Sequence, residues 1–134
     1  MILLTTGCMT LDAFFFANEE LTQYAFPTDV IPPEDLEEVP FQSADGTPLY
    51  GVWAWQEIPV AAPTIIHFHG NTGNIDNYMD RVDSLWSLGF NTFMFDYRGF
   101  GKSDGTPTHA TIVQDGVAAV ELVMETMGYE SSRD

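Results

Sequence analysis

The sequence predicts an α/β fold in which an antiparallel β-hairpin is followed by strand, helix, strand and helix, with parallel pairing in the second part. Three observations predict it. Two extended segments flank an Asp45-Gly46 turn. Two short apolar runs, Thr64–His69 and Asn91–Asp96, each lead into a glycine-bearing loop. Each of those loops is followed by apolar residues at helical spacing.

Residues 9–36 read as an N-terminal arm. Phe14, Phe15, Phe16, Tyr24 and Phe26 stand there among acidic and polar residues without a clean helical or alternating period, and Pro32-Pro33 breaks any regular element. The Phe14–Phe16 cluster is expected to cover one face of the domain, with a membrane surface as the other possibility. A partial α/β domain occupies residues 37–134. Within it, Val39–Ser43 and Leu49–Trp55 pair across the Asp-Gly turn. Thr64–His69 is mostly apolar, as suits a strand covered on both faces. Ile75, Tyr78, Met79, Val82, Leu85 and Trp86 then repeat at helical spacing opposite Asp76, Asp80, Arg81, Asp83 and Ser87, and Gly89 ends that helix. Asn91–Asp96 is the next strand. A last helix is predicted to begin near Thr111, where Thr111 and Gln114 have capping-box spacing, and to close at Gly128. Its predicted apolar stripe is Val113, Val117, Val120, Met124 and Met127.

Composition excludes several functions. A chain of 134 residues with 45% hydrophobic and 13% aromatic residues has ample material for one packed core. Twenty acidic against four basic residues leave a net charge of −16, and no Lys or Arg precedes Arg81, so nucleic acid would be repelled. The same scarcity of cations excludes electrostatic attachment to anionic lipid. No segment approaches the length of a membrane span. No cofactor or metal is expected, because His67, His69 and His109 make no recognised ligand motif.

The single cysteine, Cys8, allows no internal disulfide. Met1–Cys8 is a short apolar run, then small residues, then Gly-Cys, and looks like the end of a truncated bacterial lipoprotein signal with Cys8 as the lipidated residue. That reading places the protein on a lipid anchor in the bacterial cell envelope. An ordinary start with a buried thiol leaves it cytoplasmic.

Two loops carry the chemistry. His69-Gly70-Asn71-Thr72-Gly73-Asn74 joins a strand to a helix, and backbone N–H groups near a helix start can face a developing negative oxygen. Asp96-Tyr97-Arg98-Gly99-Phe100-Gly101-Lys102-Ser103 follows the next strand. In that order the two loops resemble the front half of an α/β-hydrolase, most like the BEM46-like and serine-aminopeptidase-like bacterial hydrolases, over Glu38–Asp134. The resemblance implies the N-terminal half of an α/β-hydrolase sheet and acyl transfer on a small-molecule ester, thioester or amide. It makes the Asn71 backbone N–H an oxyanion-hole donor, with Gly70 and His69 shaping the loop. The nucleophile of such an enzyme is a serine on a later strand-to-helix turn, activated by a His that an Asp or Glu orients. A catalytic His in this fold comes after that serine, so His69 is assigned to holding its loop, His67 to the core and His109 to a polar loop.

Two further patterns are decoys. Gly101-Lys102-Ser103-Asp104-Gly105 matches G-x-S-x-G, but it lies well beyond Asp96 and Thr106-Pro107-Thr108 follows where the helix should begin, so Ser103 is not expected to be the nucleophile. Gly101-Lys102-Ser103 also ends like a phosphate loop, yet Asp96 stands where that motif needs its first glycine.

Asp134 comes before any strand that could carry the nucleophile, and none of Ser84, Ser87, Ser103, Ser131 and Ser132 stands at an elbow. The expectation is a hydrolase by family whose 134 residues, lacking nucleophile, acid and base, form an inactive fragment truncated before the nucleophile strand. The competing expectation is a non-catalytic, lipid-anchored envelope protein that binds a partner or ligand on a half-hydrolase scaffold. In the family the third strand pairs with the fifth, which implies that Thr64–His69 is here an open, self-associating edge.

Overall fold

The computed structural model of the chain describes residues 11–129. Cys8 and the signal-like segment around it lie outside the described residues. In chain order the elements are α1 (Asp12–Phe15), β1 (Ala17–Asn18), β2 (Leu36–Gln42), β3 (Pro48–Ala54), β4 (Thr64–His67), β5 (Thr72–Gly73), α2 (Met79–Ser87), β6 (Asn91–Asp96) and α3 (His109–Met127).

The hairpin forms as expected. β2 and β3 run antiparallel from Leu36↔Ala54 to Gln42↔Pro48. Gly46 takes φ +85° at the turn, and its N–H donates to the Ser43 carbonyl at 2.9 Å. β3 then pairs antiparallel with β6, and β6 pairs parallel with β4, so the four-stranded sheet has the order β2-β3-β6-β4. β6 is central and buried at all six residues. β4 is an edge and only half-buried throughout, because among the described residues nothing pairs with its outer side.

The pleat sends alternate residues to opposite faces. Val52, Ala54 and Met94 join Ile75, Met79 and Val82 under α2, while Trp53, Phe93 and Phe95 join Ala119 and Val123 under α3. The sheet is therefore the middle layer of three. The arm contributes Tyr24 and Ile31 to the first of these cores and packs Phe16 against the second.

Several expectations need correction. β4 stops at His67, since His69 turns into the loop and is buried there. His67 is half-buried on the edge strand rather than a core histidine, and partial desolvation lowers its pKa. The first helix opens as a 3₁₀ turn over Ile75–Tyr78, because Asn74 and Asn77 form a reciprocal capping box before α2 proper begins. α3 begins at His109, so this residue is helical and not in a loop. The reason is a capping box made by Thr108 and Thr111: each side chain accepts from the other's backbone N–H.

The stripe on α3 is also displaced. The face turned to the sheet is Asp115, Gly116, Ala119 and Val123, whereas Val113 and Val117 are 66% and 50% exposed. With Val120, Met124 and Phe68 they line an open, mostly apolar groove of about 780 Å³ beside β4. A hydrophobic stripe read from spacing alone cannot say which of two adjacent apolar faces meets the sheet. The Phe14–Phe16 cluster divides: Phe16 packs edge-on against Phe100 at 6.4 Å, while Phe14 and Phe15 are 70% and 51% exposed.

Candidate active site

Parallel neighbours β4 and β6 deliver their following loops to the same end of the sheet, the end at which open α/β sheets place their ligand sites. The loop after β4 runs from Phe68 to Asn74. Its first anchor is His69, whose side chain is fully buried and whose Nε2 lies 2.7 Å from Asp96 Oδ1 at the end of β6. The ring stacks on Tyr78 at 5.0 Å and 19°, and the Tyr97 hydroxyl donates to the His69 carbonyl at 3.0 Å. Burial pushes the Tyr97 hydroxyl up to about 12, so that group stays a donor. With Nε2 held by a carboxylate and its side chain sealed from solvent, His69 has no route to a substrate proton.

The second anchor lies at the other end. Asn74 Oδ1 accepts from the Asp76 N–H at 3.0 Å, and the Ile75 N–H donates to Asp96 at 3.1 Å. Between the anchors, Gly70, Asn71 and Thr72 are exposed. The Asn71 side chain donates to the Phe15 carbonyl, and its own carbonyl accepts from the Ala17 N–H at 2.9 Å. The main-chain N–H groups of Gly70 and Asn71 make no hydrogen bond to the described residues. The loop therefore presents, among the described residues, two unbonded amides one turn before a helix, held at both ends.

The loop after β6 is rigid for a different reason. Arg98 grips Asp115 of α3 through Nη2 at 2.7 Å, the hairpin turn through Asp45 at 2.7 Å, and Ser43 and Gln114 at 3.2 Å. Asp115 also accepts from the Arg98 N–H at 2.9 Å. The Asp115 bond foremost raises the Arg98 pKa, and the Arg98 bond in turn holds Asp45 well below the usual carboxylate range. This network joins hairpin, loop and helix and commits the buried guanidinium to structural partners.

Ser103 is 5% exposed. Its hydroxyl donates to the Asp96 carbonyl at 2.7 Å and accepts from the Tyr50 N–H at 3.0 Å, so it stitches loop to sheet. No strand-to-helix elbow surrounds it, since α3 begins only at His109. His109 sits beside the Asp12 carboxylate and the Phe15 ring, on the outside of the arm. Among the described residues no group of His, Cys, Asp and Glu could hold a metal ion.

Sequence reasoning missed Asp96 and Tyr24 as partners in this site. Asp96 was visible only as the first residue of the Asp-Tyr-Arg-Gly loop, and Tyr24 belongs to the arm, far away along the chain, so no local signal could have joined them.

The geometry has matching relatives. The sequence profile of the serine aminopeptidase S33 family matches residues 60–134. The chain belongs to that family of α/β-hydrolases. It is similar to the Escherichia coli protein YfhR, 42% identical over 106 residues that make up 75% of this chain and 37% of the relative. It is also similar to the zebrafish (Danio rerio) lysophosphatidylserine lipase ABHD12, 30% identical over 78 residues, covering 57% of this chain and 20% of that protein. Among solved structures, the Pyrococcus furiosus esterase Pf2001 superposes with a TM-score of 0.62 at 24% identity, over 88% of this chain and 46% of the esterase. That last likeness shows the fold. The chain spans less than half the length of each of these proteins.

Proposed function

We propose that the chain supplies the oxyanion half of a serine hydrolase that transfers an acyl group from an ester, thioester or amide to water. The observation that carries this reading is the pair of N–H groups at Gly70 and Asn71 that bond to none of the described residues, at the ligand-binding end of the sheet and just ahead of a helix. Donors placed there would stabilise the negative oxygen of a tetrahedral intermediate, an effect of about 3 kcal/mol for one such donor. A carboxylic ester is the preferred substrate class, supported by the lysophosphatidylserine lipase to which the chain is similar.

Among the described residues no serine stands on a strand-to-helix elbow, and His69 is committed to Asp96. By itself the chain is inactive. Fluorophosphonate labelling of the folded chain tests this: no adduct is expected, and a stoichiometric serine adduct would refute it. Sequencing the gene past the Asp134 codon is the companion test, with a further strand and G-x-S-x-G expected there. In a product so extended, Asn71→Pro removes the donor N–H and should lower kcat about a hundredfold, while Asn71→Ala keeps that N–H and the rate. Equal effects of the two substitutions would overturn the assignment of Asn71.

Envelope attachment through Cys8 is part of the same proposal. It is supported by Leu11 and Phe14, 73% and 70% exposed just after the signal-like segment, which could rest on a bilayer surface. Metabolic labelling with a lipid precursor should mark the protein and fail on Cys8→Ala; an unlabelled wild type would remove the anchor.

A further inference from the structure

The free amides at Gly70 and Asn71 hang between two anchors, and both anchors end on one carboxylate. Asp96 is fully buried. Its Oδ1 faces His69 Nε2 at 2.7 Å and accepts from the Ile75 N–H at 3.1 Å, while its Oδ2 accepts from the Tyr24 hydroxyl at 2.5 Å. His69 and Ile75 flank the loop, so a single side chain sets the separation of its ends.

The third partner comes from the arm. Burial first, and the neighbouring Asp96 charge second, push the Tyr24 hydroxyl far above its ordinary pKa, so it stays protonated and donates. Its oxygen accepts from the Lys102 N–H at 3.1 Å. A carboxylate sealed from water is costly to bury unless such partners hydrogen-bond it. The arm also runs between the two loops as a strand: Ala17 and Glu19 donate to the Asn71 and Gly73 carbonyls at 2.9 and 3.1 Å, and Glu19 and Leu21 exchange hydrogen bonds of 2.8 Å with Gly101. Gly101 itself passes directly over the carboxylate, where a Cβ would lie 1.9 Å from Asp96 Oδ2 and 2.5 Å from the Tyr24 oxygen. The glycine of the Gly-Phe-Gly motif thus makes room for this cluster.

We infer that Asp96 is the positioning residue of the oxyanion loop, and that the N-terminal arm, through the Tyr24 hydroxyl and the β1–β5 pairing, is a working part of that site. The inference rests on the oxyanion reading above and adds to it the two groups that fix the loop. Asp96 touches no substrate; it acts through His69 and Ile75. Without Tyr24 its Oδ2 loses its shortest contact, and the arm and loop loosen together.

Amide hydrogen exchange followed by NMR on the whole chain tests this with Tyr24→Phe and Asp96→Asn. Tyr24→Phe keeps the ring and its stacking on Phe26 and removes only the hydroxyl. Exchange at Ala17, Glu19, Asn74 and Ile75 is expected to quicken about tenfold or more, the usual worth of one hydrogen bond to a charged group, while amides of the β3–β6 ladder keep their rates. A downfield His69 Nε2 proton is expected in the wild type and should disappear in Asp96→Asn. Should Asp96→Asn fail to fold, Tyr24→Phe still decides. Unchanged exchange at the four amides, or equal acceleration in the ladder, would overturn the inference. Because no turnover is measured, a failed catalytic reading and a failed positioning role give different results.

Discussion

Substituting Gly101 with alanine puts the buried cluster under direct load, and Gly46 provides the matched control. Both glycines have positive φ, +54° and +85°, so an alanine at either position suffers similar backbone strain, about 1–2 kcal/mol. Both substitutions also remove similar freedom from the unfolded chain. Only the surroundings differ. A Cβ at Gly46 meets nothing within 4 Å, whereas at Gly101 it lies 1.9 Å from Asp96 Oδ2. Real carbon–oxygen contacts do not approach so closely, so the carboxylate must move by an ångström or more, and at least one of its hydrogen bonds breaks. Loss of one bond to a buried charge costs about 1.5–3 kcal/mol, and overpacking adds about 1–3 kcal/mol. Gly101→Ala should therefore destabilise the chain by about 3 kcal/mol more than Gly46→Ala. Urea denaturation followed by circular dichroism measures both, and the comparison holds if the m-values of the two variants agree. Equal destabilisation would mean that Gly101 does not lie against Asp96, and the account of the cluster would fail with it.

Asp115→Ala should cost about 3 kcal/mol in the same assay, because it strands the 6%-exposed Arg98 without its main counter-charge. A loss below about 1 kcal/mol would place the pair among ordinary surface bridges. Tyr97 predicts an alkaline transition. Its folded pKa of about 12 lies above the unfolded value of 10.0, so the unfolded chain loses this proton first and stability falls as pH rises through that interval. The Tyr97 share of the fall should approach about 3 kcal/mol, Tyr24 adds its own over the same interval, and Tyr97→Phe should make the fall shallower without removing it in a pH series of urea titrations. The open edge of β4, next to exposed Phe68, Val113 and Val117, predicts self-association in sedimentation. Ile65→Lys should shift the chain toward monomer, and a wild type that sediments as a monomer at high concentration would contradict the expectation.

The four strands of the main sheet and their order along the chain were legible in the residues, whereas the two-residue β1 and β5 were not. The Asp45-Gly46 turn, the runs at Thr64 and Asn91 and the two motif loops act through neighbouring residues, whose backbone preferences and alternation are local properties. Helix starts were less legible, because Thr108 and Thr111 cap each other with hydroxyls and escape a search for an acidic or amide partner. The face of α3 was misread because Val113, Val117 and Met124 are as apolar as the residues that meet the sheet, and only packing against Phe93 and Phe95 separates the two sets.

What the sequence determined by itself is the α/β character, the strand-to-helix position of the His69-Gly70-Asn71 loop and the mismatch of Ser103 with an elbow. Each follows from spacing within a dozen or so residues. Only the tertiary structure joined Tyr24, His69, Ile75 and Asp96, because a buried carboxylate gathers whatever donors the folded chain brings within reach, regardless of their distance along it. Hydrogen bonds are set by proximity in space, and parallel strands joined by long crossovers create that proximity between parts of the sequence that carry no mark of each other.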